Sequence, residues 1–112
     1  MLKVRIREHD EIVVFHLKGE VVVLNLQQIK IPFEEKIALG KKQFIFDLEL
    51  VTYMDSAAIG MFYTKLVTLK KESGTVELIK PSASIKRIIV STKLIDLVSI
   101  YDNEKDAVNA LK

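Results

Sequence analysis

The stretch Tyr53-Met54-Asp55-Ser56-Ala57-Ala58-Ile59-Gly60 joins an apolar run typical of a buried strand to a long amphipathic pattern typical of a helix. The hydroxyl of Ser56 therefore lies where a helix is predicted to begin. The first N–H groups of a helix have no intrahelical acceptor and the dipole adds positive charge there, so an anion or a phosphate is stabilised at this point. Ser56 is a candidate phosphoacceptor. The residues alone favour a simpler interpretation, in which Asp55 or Ser56 only caps the helix.

The apolar periodicity on both sides of this junction predicts an α/β fold. Before it, Leu2, Val4 and Ile6 alternate with basic residues as in a half-exposed edge strand, and a turn near His9-Asp10 leads to a more buried strand over 12–17. A central strand is predicted over 43–48. In the region between, Asn25 is a candidate cap, and Pro32 predicts that a short helix starts afresh because proline inside a helix costs about 3 kcal/mol.

After the junction the pattern alternates between helix and strand. A sheet-covering helix is predicted up to Ser73-Gly74, followed by a strand over 75–79, a helix after Pro81-Ser82, a strand over 98–101 and a terminal helix capped by Asp102 or Asn103. The prediction is a single domain over 1–112, with a mixed sheet of about five strands and about four helices. Right-handed crossovers would bring the loops after the second, third and fourth strands to one edge of the sheet.

Composition excludes several classes of function. With 17 basic and 15 acidic residues the net charge is +2, which is far from the basic field of a nucleic-acid-binding protein, so no direct nucleic-acid contact is expected. The absence of cysteine excludes disulfides, thiolate metal sites and a cysteine nucleophile. No apolar run approaches the length of a membrane span. We expect a cytoplasmic protein with no membrane insertion, no metal and no cofactor, in which His9 and His16 are structural or solvated.

Three segments together resemble the signature of the anti-sigma-factor antagonist family, whose fold is the STAS domain. They are Phe46-Asp47-Leu48, Val51-Thr52-Tyr53 and Met54-Asp55-Ser56-x-x-Ile59-Gly60, and Gly19-Glu20 falls where that family would place it. The resemblance covers nearly the whole chain. Ala57-Ala58 replaces the Ser or Thr followed by Gly that is common in the family, which leaves Ser56 as the only acceptor in the turn. Val22 stands where the family often has Asp.

The resemblance implies a partner-switching regulator of sigma-factor-dependent transcription. Such a protein binds an anti-sigma factor that is also its serine kinase, is switched off by phosphorylation of Ser56, and is reset by a serine phosphatase. The expected partner surface is the edge of the sheet described above, although Tyr53 and Met61 could instead belong to the core. Its predicted residues are Gly19, Glu20, Thr52, Tyr53, Met54, Asp55, Ala57, Ala58, Gly60, Met61, Ser82 and Ser84.

Two other functions are compatible with parts of this pattern. An enzyme with Ser56 as nucleophile would need a base within reach, but the chain has no G-x-S-x-G elbow and no G-x-x-x-x-G-K-[ST] loop, so no catalytic activity is predicted. The other alternative is a STAS subunit of a transporter or lipid-trafficking assembly, in which the Ser56 turn binds a partner without being phosphorylated.

Overall fold

Five strands form one mixed sheet in the order β1-β2-β3-β4-β5, in a computed structural model that describes residues 1–112. The strands are Lys3–His9 (β1), Ile12–Val21 (β2), Gln43–Met54 (β3), Thr75–Ile79 (β4) and Ser99–Tyr101 (β5). The helices are Gln27–Ala38 (α1), Ser56–Lys71 (α2), Ala83–Ser91 (α3) and Glu104–Ala110 (α4), with a short 3-10 helix at Leu94–Leu97. The predicted α/β fold, with its five strands and four helices, is confirmed.

The strand directions place the loops as expected. Strand β1 is antiparallel to β2, and all the other neighbouring pairs are parallel. The carboxyl ends of β2, β3 and β4 therefore lie at one edge of the sheet, where ligands and partners of α/β proteins commonly bind. The junction at Ser56 leaves from the middle of this edge, because β3 is the central strand.

A phenylalanine cluster fixes α1 and α2 on one face of the sheet. All five phenylalanines of the chain belong to it, and all are buried in the main core of 23 residues. Phe15 of β2 and Phe46 of β3 stack with ring centroids 4.8 Å apart. Phe33 of α1 and Phe62 of α2 each meet Phe46 edge-on, at 5.1 Å in both pairs. This packing holds the start of α2 close to the end of β3.

The opposite face of the sheet is only partly covered. Helix α4 packs there over a small cluster whose buried members are Ile12, Val14, Ile45, Ile79, Ala107 and Val108. The outward side chains of β1 and of the last part of β2 lie beyond this cluster and are exposed. We call this uncovered region the open face.

Helix α1 does not begin at Pro32, so that prediction is wrong. The helix runs from Gln27 to Ala38 with Pro32 inside it, and its N-cap position, Leu26, makes no side-chain cap. Ile29 and Phe33 lie one turn apart and are both fully buried. Their packing outweighs the local cost of proline. Asn25 does not cap the helix; its side chain instead bonds to Val22 N–H and to the Glu20 carbonyl.

Strand β3 is twice as long as the strand predicted over 43–48. The prediction ended too early because two irregularities interrupt the pairing of β3 with β2 beyond Asp47. Between His16 and Lys18 of β2, the partners on β3 jump from Asp47 to Leu50. Between Gly19 and Glu20 they jump again, from Val51 to Tyr53. Each irregularity adds one residue to β3 and reverses the face that the following residues occupy.

Candidate functional site

Asp55 is the N-cap of α2, and both of its carboxylate oxygens are used. Oδ1 accepts a hydrogen bond from Ala58 N–H at 2.9 Å, and Oδ2 accepts one from Val23 N–H at 2.9 Å. These bonds, the Ala58 bond first, lower the pKa of Asp55 from its ordinary value because they stabilise the ionised carboxylate. Of the two predicted cap candidates, Asp55 is therefore the cap and Ser56 is not.

Ser56 is the first residue of α2 and is exposed. The hydrogen bonds of the turn are made by Asp55, and the Ser56 hydroxyl takes part in none of them. The N–H groups of Ser56 and Ala57 stand at the first two helical positions, so they have no intrahelical acceptor. An exposed hydroxyl with no hydrogen bond thus lies at the positive end of the helix dipole, beside two amides that have no intrahelical acceptor.

Most of the predicted partner-binding residues lie together at the carboxyl edge of the sheet. Glu20 and Tyr53 are register partners on β2 and β3, and Tyr53 is 50% exposed, so it is not a core residue. Ser82 caps α3 by accepting a hydrogen bond from Ile85 N–H at 3.3 Å. The exposed members of the predicted set are Glu20, Thr52, Tyr53, Gly60, Ser82 and Ser84, together with Ser56 itself.

Four predicted contact residues have structural roles instead. Met54, Ala58 and Met61 are buried in the main core, so their side chains cannot offer contact area to a partner. The apolar stripe of α2 is broad enough to include Met61, which the prediction had allowed as core. Gly19 has φ +108°, and a Cβ there would lie 2.3 Å from the Met1 carbonyl oxygen, so glycine is required by the backbone.

Val23 and Leu24 form an apolar surface beside the turn that the sequence prediction missed. Val23 is 63% exposed and Leu24 is 95% exposed. The Val23 N–H bond to Asp55 holds this loop next to the start of α2. Asn25 was the available signal, since asparagine after an apolar run is typical of a turn.

The histidines have the structural and solvated roles expected of them. His16 Nδ1 lies 2.9 Å from Asp47 Oδ2, and Arg7 Nε donates to His16 Nε2 at 3.1 Å. Arg7 also forms an ion pair with Glu104 of α4 at 2.5 Å. His9 is exposed in the β1–β2 hairpin. None of the helices is both long enough and apolar enough to traverse a bilayer.

Comparison with known proteins identifies the fold of this site. The STAS domain family matches residues 3–107. The chain is 20% identical to the anti-sigma F factor antagonist of Paenibacillus polymyxa, over 99% of this chain and 96% of that protein. A crystal structure of an anti-sigma factor antagonist from Thermotoga maritima has a TM-score of 0.88 at 21% identity, covering 96% of this chain and 92% of that one.

The same fold is found in SpoIIAA, an anti-sigma factor antagonist that has been solved in two states. The unphosphorylated form has a TM-score of 0.84 at 22% identity, covering 97% of this chain and 96% of the other. The phosphorylated form, from Bacillus, has a TM-score of 0.80 at 21% identity, covering 98% and 100%. The resemblance seen in the sequence is confirmed, and this chain belongs to the STAS domain family.

Proposed function

We propose that this chain is an anti-sigma-factor antagonist that is switched off by phosphorylation of Ser56. Its partner is an anti-sigma factor with serine kinase activity, and a serine phosphatase restores the active form. The observation that carries the proposal is the exposed Ser56 hydroxyl, free of hydrogen bonds, at the first turn of α2. The antagonist names of the Paenibacillus and Thermotoga relatives, and the existence of SpoIIAA in a phosphorylated form, support it.

The partner surface would surround Ser56 and combine polar and apolar contacts. The small residues Ala57 and Gly60 follow the exposed Ser56, while the exposed side chains of Tyr53, Val23 and Leu24 offer apolar area that a partner would cover. Exposed apolar side chains grouped around a polar centre are typical of protein interfaces. Glu20, Thr52, Ser82 and Ser84 would form the polar rim.

A phosphate at this position would weaken binding without a change of fold. It adds about −1.5 to −2 charges and a hydrated volume to the centre of the contact surface. A loss of about 3 kcal/mol in binding free energy corresponds to a complex roughly a hundredfold weaker. The positive end of the α2 dipole would help to hold the phosphate in the unbound protein.

The surroundings of Ser56 favour a phosphoacceptor over an enzymatic nucleophile. Asp55 is the nearest carboxylate along the chain, but both of its oxygens accept backbone hydrogen bonds. It is therefore not free to take the Ser56 proton. His16 is held by Asp47 and Arg7 on the face of the sheet opposite α2.

Phosphorylation and binding assays test the proposal directly. Incubated with a candidate anti-sigma factor kinase and ATP, the protein should gain one phosphate at Ser56, and the modified form should bind that partner roughly a hundredfold more weakly. Ser56→Ala should bind but escape inactivation, whereas Ser56→Asp should bind weakly with an unchanged melting temperature. Thr68→Asp is the matched control, because it adds the same charge to an exposed position further along α2.

Three outcomes would contradict the proposal. Label found mainly at Thr52, Ser82 or Ser84 would assign the phosphate elsewhere. A Ser56→Asp variant that unfolds would show that Ser56 is needed for the structure. Binding of the partner that is insensitive to phosphorylation and to Ser56→Asp would favour a STAS subunit of a transporter or lipid-trafficking assembly.

A further inference from the structure

Three cations with exposed side chains crowd one corner of the open face. Lys3 of β1 stands directly opposite Lys18 of β2 in the antiparallel pair, and Arg5 follows Lys3 by two residues on the same face. None of the three takes part in an ion pair. Like charges placed directly across a sheet are destabilising, so this arrangement carries a cost in the isolated protein.

The neighbouring positions on the same face are arranged differently. Two residues beyond Arg5 on β1, Arg7 pairs with Glu104. Two residues before Lys18 on β2, His16 lies against Asp47. Arg7 is therefore paired where α4 reaches the sheet, whereas the cations beyond that helix are unpaired. The three charged side chains of β1 and β2 at this corner, Lys3, Arg5 and Lys18, are all positive.

An exposed leucine lies next to these cations because of the first irregularity in β3. Simple alternation would place Leu50 with Phe46 and Leu48 in the main core. The extra residue instead makes Leu50 the register partner of Lys18, and its side chain is 57% exposed. Leu50 and the three cations line a hollow of about 400 Å³, which we call the basic hollow.

We propose that the basic hollow binds an acidic segment of a partner protein, with carboxylates opposite the three cations and an apolar side chain against Leu50. The three cations favour a negatively charged ligand, and the exposed side chain of Leu50 favours a ligand that also carries apolar surface. Glu20 is exposed on the same face, just beyond Lys18, and Glu49 is exposed beside Leu50. A flat anionic bilayer would press its phosphates against these carboxylates, whereas a narrow peptide segment avoids them.

This site is separate from the proposed switch. Lys18 precedes the end of β2 by three residues, which is about 10 Å along the strand and comparable to the Debye length at physiological salt. The basic hollow also lies on the face of the sheet opposite α1 and α2. Occupation of the hollow should therefore not depend on the state of Ser56, and the proposal stands independently of the function proposed above.

Titration of the full chain with a defined probe tests the inference. The probe is a short blocked peptide of aspartates and glutamates around a central leucine, followed by amide chemical shifts of isotope-labelled protein. Shifts should concentrate at Lys3, Arg5, Lys18 and Leu50, and affinity should fall with added salt. Lys18→Glu should weaken binding by roughly tenfold or more, and Leu50→Ser by a smaller factor. Lys42→Glu, a charge reversal at an exposed lysine elsewhere, is the matched control and should bind as wild type.

The thermal stability of Lys18→Glu distinguishes lost binding from lost structure. Because the variant replaces a like-charge pair with an attractive one, its melting temperature should rise by about 1–4 °C. Ser56→Asp should bind the probe like wild type. The proposal is overturned if the peptide fails to bind at millimolar concentration, if it binds Lys18→Glu as strongly as wild type, or if phosphatidylglycerol vesicles bind where the peptide does not.

Discussion

Asp55 shows how much one side chain contributes to the site. Asparagine has a single acceptor oxygen, so in Asp55→Asn the side-chain NH₂ would face either Ala58 N–H or Val23 N–H and one hydrogen bond would be lost. We therefore expect Asp55→Asn to lower the melting temperature, and Asp55→Ala to lower it further. Thermal melts check this, with the exposed Asp102→Asn as control. Equal melting temperatures for Asp55→Asn and wild type would contradict it.

The stabilisation by Asp55 should also depend on pH. Folding lowers the pKa of Asp55. The contribution of Asp55 to stability is therefore present above the ordinary pKa of an aspartate, and it is lost as the pH falls through the lowered pKa of the folded protein. The deficit of Asp55→Asn relative to wild type should accordingly shrink in acid. This checks that the charged form of the carboxylate is the one that stabilises the turn.

Residue chemistry explains why only half of this arrangement could be predicted. An aspartate immediately before an amphipathic pattern indicates a helix cap, and that prediction was correct. The bond from Val23 N–H joins residues 32 positions apart and depends on how the loop after β2 is placed. No local pattern encodes that placement, so Val23 and Leu24 were missed as neighbours of Ser56.

At the scale of elements, α1 contains a proline that its packing tolerates. Pro32 has no N–H to offer the Gln28 carbonyl, and proline in a helix interior is unfavourable by about 3 kcal/mol relative to alanine. Pro32→Ala should raise the free energy of unfolding by about 1–2 kcal/mol, since the greater freedom of the unfolded chain offsets part of the gain. Urea denaturation measures the change, with Gln28→Ala as control on the same helix. A destabilised Pro32→Ala would mean that packing of the proline ring matters more than the helix backbone.

Strand β3 shows why element boundaries were harder to predict than element types. Its first half is a short apolar run that is buried on both faces of the sheet, and the prediction placed it correctly as a central buried strand. Beyond Leu48 the two irregularities break the alternation, so that Glu49 and Leu50 are both exposed and then Thr52 and Tyr53 are both exposed. Such a sequence is neither a continuous apolar run nor a pattern with a period of two, so the prediction ended the strand too early.

At the scale of the whole molecule, the topology was predictable although the burial of individual residues was not. Right-handed crossovers and short connections leave few ways to order four parallel strands, which is why the carboxyl edge was placed correctly. The burial of Met54 and Met61 depends on how closely α2 lies against the sheet. That distance is set by the phenylalanine cluster, whose members come from four separate elements.

One buried carboxylate should make the stability of the whole fold depend on pH. Glu77 of β4 is 7% exposed, and burial raises its pKa above the ordinary value. The folded state therefore favours the neutral form of Glu77. Its contribution to stability is complete below the pKa that Glu77 has in the unfolded chain, and it is lost as the pH rises through the higher pKa that Glu77 has in the folded protein. Glu77→Gln should remove this loss and be more stable than wild type at neutral pH. Denaturation curves at several pH values test this, with exposed Glu72→Gln as control; curves for Glu77→Gln that parallel wild type at every pH would contradict it.

Phosphorylation of Ser56 would also disturb the two hydrogen bonds that the Asp55 carboxylate accepts. A dianionic phosphate on Ser56 would stand next to a carboxylate that is already ionised, and the two groups would repel each other. The bond to Ala58 lies within the first turn of α2, whereas the bond to Val23 holds only a surface loop, so the latter is the cheaper one to give up. Release of Val23 would loosen Val23 and Leu24, the apolar pair that we propose as partner contacts. The signal would then be carried by disorder as well as by charge: a partner would meet a surface that is both repulsive and no longer pre-formed.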